Sequence, residues 1–123
     1  MEYSSVDQLI NSLRPSTNNI GRILLGLLFI ISGVQSAMDS QGFATSIAGK
    51  GLPFPTYLAY LALAAKILGG LSVATNWYVS TGKLILILFT LATTVLFHNP
   101  MQDPSQMTNM LKNLAIIGGL LLI

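Results

Sequence analysis

Residues 51–77 form an apolar run long enough to cross a bilayer, and its single charge, Lys66, sits at the middle. A spanning helix needs about 20 mostly apolar residues, and an ionisable group near its centre costs at least ~2.5 kcal/mol. Such a residue therefore needs a partner, a water-filled cavity or a ligand. The chain's four carboxylates, Glu2, Asp7, Asp39 and Asp103, all fall outside the apolar runs, so an intramembrane counter-charge would have to come from another molecule. Three states are open to Lys66: neutral or water-solvated, paired with an acid of another subunit, or facing a ligand or cavity.

Composition carries the membrane reading to the whole chain. Of 123 residues, 52% are hydrophobic and only 8% charged, against about 25% charged in ordinary soluble domains. The mean hydropathy is +0.67. The six basic residues are scattered, with no patch to suggest nucleic acid as a partner. Without cysteine the chain offers no disulfide, thiol nucleophile or iron–sulfur ligand. A cleaved signal peptide is not expected, because acids stand where a basic leader would be.

The expected architecture is all-α: an integral membrane four-helix bundle preceded by a short amphipathic interfacial helix. Residues 1–19 make the amphipathic segment, with Val6, Leu9, Ile10 and Leu13 on one face. Ser5 and Gln8 read as a capping box, and Pro15 as the stop. The helix is expected to lie along the membrane interface or to dock a partner. Residues 20–123 make the transmembrane domain, with spans at about 20–37, 56–77, 81–97 and 105–123. The first carries Gly21, Gly26, Ser32 and Gly33, which permit close helix approach. In the second, Ala59, Ala62, Gly69, Gly70 and Val73 share the face of Lys66. The connections 42–55 and 99–106 read as loops on the side opposite the termini. Basic residues near the connections favour cytoplasmic termini, and Tyr57, Trp77 and Tyr78 fall at span ends as interfacial aromatics.

A second set of polar residues clusters near one membrane face. His98 ends the third span and is the only histidine, which rules out a bis-histidine haem site within one chain. It reads either as a hydrogen-bonded cap or as a proton-exchanging group. Gln106, Asn109 and Asn113 fall on one helical stripe, with Lys112 beside it. Gln106, Lys112 and Asn113 are candidates to line a polar pocket with His98, Asn99 and Gln35. Snorkelling of Lys112 and helix–helix bonding by Asn113 are the plainer alternatives.

An ordered set of motifs resembles the DoxX family of small four-helix membrane proteins. It comprises Gly21-Arg22-Ile23-Leu24-Leu25-Gly26-Leu27-Leu28-Phe29-Ile30-Ile31-Ser32-Gly33, Gly51-Leu52-Pro53-Phe54-Pro55, Leu68-Gly69-Gly70, Phe97-His98-Asn99 and Leu111-Lys112-Asn113-Leu114-Ala115-Ile116-Ile117-Gly118-Gly119. The resemblance implies a multi-pass protein of the bacterial cytoplasmic membrane with loose links to quinone-coupled redox processes. It departs from the family pattern at Lys66, where an acid is common. No intrinsic cofactor is expected, and a quinone or lipid is the ligand class implied. Expected partners are membrane lipids and other membrane subunits, one supplying a carboxylate to Lys66. The function expected is that of an accessory subunit in a membrane redox or respiratory assembly. A stand-alone quinone-linked oxidoreductase and a small oligomeric transporter are the alternatives.

Overall fold

The computed structural model describes residues 4–98, 101 and 103–123. Among these described residues five α-helices follow one another: α1 Ser5–Met38, α2 Ser40–Gly49, α3 Pro55–Thr75, α4 Val79–Phe97 and α5 Met107–Leu122, the last entered through a single 3-10 turn at Pro104–Gln106. Helices α1, α3 and α4 are each long and apolar enough to cross a membrane. The protein is an all-α membrane protein. Helix α5, at about 24 Å, is shorter than the hydrocarbon core and packs on α4 and α1.

Three local expectations are corrected. Pro15 does not stop the first helix; α1 runs through it to Met38 as one element. Proline removes one helical N–H, leaving the carbonyl four residues earlier without its bond. Here residues 11–15 are exposed, so water can take that carbonyl, while Arg14 donates to Asn11 Oδ1 at 3.0 Å. The capping box is set one residue earlier than Ser5 and Gln8: Asp7 N donates to Ser4 Oγ, and Ser4 N to Asp7 Oδ2. The stretch 42–55 is likewise not all loop. Asp39 accepts from Gly42 N at 3.1 Å and starts α2, whose Phe43 and Ile47, one turn apart, turn inward.

Helices α1 and α3 make the tightest crossing. A Cβ at Gly26 would lie 2.6 Å from the Ala74 Cβ and from the Gly70 carbonyl oxygen, and one at Gly33 would lie 2.6 Å from Ile67 Cγ1. Only glycine lets the two backbones approach so closely. Gly69 and Gly82 similarly open the α3–α4 contact to Leu86 and Ser72. The apolar core of Phe29, Val73, Leu86 and Leu120 lies toward the ends of the spans that hold Arg22 and the carboxy terminus. Many of the remaining large side chains, including Leu61, Leu68, Leu84, Leu88 and Val95, are exposed, as lipid-facing residues should be.

Candidate functional site

Toward the opposite end the packing becomes polar. Lys66 is half-buried on α3, on the same side as the buried Ala59, Gly69, Gly70 and Val73. Helical side chains lean toward the N-terminus, which carries its ammonium toward α2. There Nζ donates to Ser32 Oγ at 3.0 Å and Ser36 Oγ at 3.2 Å, both on α1. The rings of Phe43 on α2 and Phe89 on α4 stand 5.4 and 5.5 Å from Nζ. Gly33 keeps this corner open, since a Cβ there would lie 3.2 Å from the Lys66 Cβ.

The contacts of this cage are large enough to offset the cost of its charge. A charged lysine at the helix centre costs about 2.5–3.5 kcal/mol on insertion scales. Two cation–π contacts contribute roughly 0.5–2 kcal/mol each, and hydrogen bonds from a charged donor about 1.5–3 kcal/mol each. Among the described residues no carboxylate stands against Lys66. The cage can thus hold an ammonium without an acid. Two of its three N–H groups go to serine, and the third is available to an acceptor.

Two shallow grooves, of about 340 and 180 Å³, open beside the cage between α2 and the start of α3. Gln41, Ala44 and Thr56 line both, Ala59 and Tyr60 the smaller. Their lining mixes polar and apolar side chains and carries no charge. The residue next to Ala44 is Phe43, whose ring faces the Lys66 ammonium.

The second polar set is only partly assembled. His98 Nδ1 lies 2.8 Å from Gln106 Oε1, which also accepts from Asn109 Nδ2 at 2.8 Å. Since that oxygen can only accept, Nδ1 is the donor. The His98 backbone N–H closes α4 on Thr94 O at 3.2 Å. Asn113 sits deeper, buried, and donates to Thr94 Oγ1 at 3.1 Å. Lys112 is exposed on α5 and Gln35 on α1, and neither joins this group. Asn99 lies outside the described residues.

Some contacts of this candidate site carry little signal in the sequence. Nothing in the pattern singles out Phe43 or Phe89, and for Ser36 the signal is its i and i+4 spacing to Ser32. Arg22 Nη1 donates to Val73 O at 2.8 Å and Ala74 O at 2.7 Å, closing the C-terminus of α3. Lys83 does the same for α5 at Ile123 O, 2.7 Å. Lys50 Nζ stands 5.6 Å from the Phe97 ring.

Comparison with known proteins agrees with this fold. The DoxX family model matches residues 18–99. The chain is 30% identical over 104 residues to the inner membrane protein YqjF of Escherichia coli (strain K12), covering 85% of this chain and 78% of that relative. No solved structure matches. The glycine-bearing part of α1 from residue 18 on, the lysine-bearing α3 and the His98 end of α4 all lie within the matched stretch, and the chain belongs to the DoxX family.

Proposed function

We propose that this protein is an accessory subunit of a membrane redox or respiratory assembly, placing Lys66 as hydrogen-bond donor within a quinone or lipid site. The observation that carries this reading is the Lys66 cage. Two hydroxyls and two ring faces hold an ammonium inside an apolar bundle, with one N–H to spare. A carbonyl or phosphate oxygen of a lipophilic molecule would complete the set. The uncharged grooves beside α2 suit a neutral head group.

The same reading places the protein in the inner membrane, as the name of its relative suggests, with α5 as a fourth, short span. The termini would face the cytoplasm, on the side of Arg22 and Lys83. An acid from a partner subunit could take the place of the ligand, and the same experiment separates the two. Wild type and Lys66→Met are purified from their own membrane in mild detergent, and co-recovered proteins and lipophilic molecules are identified. Redox subunits with quinone or lipid, the small molecule lost several-fold in Lys66→Met, would support the ligand form. Subunits lost in Lys66→Met would support acid pairing, and recovery of neither would overturn the accessory reading.

A further inference from the structure

Arg22 marks the level at which α3 ends, because it bonds the last carbonyls of that helix. Residues 5–21 of α1 therefore project beyond the bundle by roughly 25 Å. Residues 4–20 are all exposed, and the stripe includes Val6 at 63%, Ile10 at 52% and Leu13 at 47%. No part of the described chain covers that stripe.

The stripe has a seven-residue repeat. With Ile10, Thr17, Leu24, Ile31 and Met38 at position a, and Val6, Leu13, Ile20, Leu27 and Val34 at d, every seam position except Thr17 is large and apolar. All of them are exposed. In the projecting part the positions off the seam are mostly polar, with Asp7, Gln8, Asn11, Ser12, Arg14, Asn18 and Asn19 against the apolar Leu9 at g and Pro15 at f. The α1 residues packed against the bundle, Gly26, Phe29 and Gly33, stand at positions c and f, opposite the seam. Within residues 6–20, where most off-seam positions are polar, this spacing of 3.5 fits another helix running alongside with a left-handed supercoil, and the apolar seam continues through residue 38.

We propose that this face binds a second copy of this chain, the two α1 helices forming a parallel coiled coil about a two-fold axis along the membrane normal. Copies inserted the same way present the same seam in the same direction, so the face is its own complement. Pro15 falls at position f, on the outside, where a bend carries the helix toward the seam as a wrapping helix requires. A lipid surface is the poorer occupant. Interfacial helices carry a Lys- and Arg-rich polar face, whereas the projecting segment balances Asp7 against Arg14.

The chain lacks cysteine, so single cysteines can be introduced and oxidised in native membranes. The account predicts that Ile10→Cys, Leu13→Cys and Leu24→Cys give disulfide-linked dimers several-fold more readily than Gln8→Cys and Asn11→Cys. Leu13→Asp, in a full-length protein whose helix content is unchanged, should lower the dimer fraction in native mass spectra several-fold. Equal cross-linking at all five positions, cross-linking to a different protein, or a dimer indifferent to Leu13→Asp would overturn the proposal. Neither readout involves Lys66, so the dimer stands or falls apart from the accessory role.

Discussion

Lys66 donates to Ser32 Oγ across the α1–α3 crossing at 3.0 Å, and Ser36, one turn further along α1, takes a second bond from the same ammonium. The two hydroxyls are what allow a lysine to lie within the bundle beside only aromatic rings. Replacing both, Ser32→Ala with Ser36→Ala, should lower stability in detergent by about 1–3 kcal/mol, since a charged donor then loses its acceptors. Adding Lys66→Met to that double variant should recover most of the loss. Thermal unfolding of the double serine variant, of Lys66→Met alone and of their combination measures the coupling, and simple additivity would show that the hydroxyls act elsewhere.

Gly26 and Gly21 occupy the same helix with opposite surroundings. A side chain at Gly26 would meet the backbone of Gly70 and Ala74, whereas one at Gly21 would meet nothing within 4 Å. Gly26→Leu is expected to cost about 1–3 kcal/mol or more through overpacking against backbone that cannot move aside. Gly21→Leu should be nearly silent. Detergent-stability profiles of the pair check this directly.

Arg22 closes α3 through two charge-assisted bonds to its final carbonyls. Favourable placement of a cation at a helix C-terminus adds to them. Arg22→Gln should cost about 1–3 kcal/mol and should raise amide exchange in the last turn of α3 before it does so elsewhere. Uniform exchange changes along α3 would point to a role in insertion rather than in capping.

Asp103 is fully exposed, and the Ser105 hydroxyl, followed by the Ser105 backbone N–H, holds its carboxyl below the usual carboxylate range. A depressed folded value means that its stabilisation of the turn at Pro104–Gln106 is fully present above the unfolded value, about 3.9. It is lost as pH falls through the lower, folded value. Amide exchange at Ser105 and Gln106 should therefore rise only in that acidic window, and Asp103→Asn should abolish the dependence.

Much of this arrangement was legible before any coordinates. Apolar runs of about twenty residues locate spans because the bilayer demands them, and the small residues beside Lys66 identified the packed face of α3. What stayed hidden depends on contacts between elements. Phe43 became a wall of the site only because Asp39 starts a helix where glycine and proline suggested a loop. Pro15 was read as a stop because the rule concerns the bond it removes, not whether water can replace it. Lys112 and Gln35 look like pocket residues by proximity in sequence, yet helical phase turns them outward. The heptad along α1 was visible only as a short amphipathic patch until the helix proved continuous.

The central claim is that Lys66 is the donor in a site for a quinone or lipid head group. Photolabelling of the protein in its own membrane with an azido-quinone, followed by peptide mapping, tests it most directly. The account predicts label concentrated on α1 near Ser32 and Ser36, on α2 near Phe43 and on α3 near Lys66, and lost in Lys66→Met. Label spread evenly over the lipid-facing leucines, or unchanged in Lys66→Met, would contradict it.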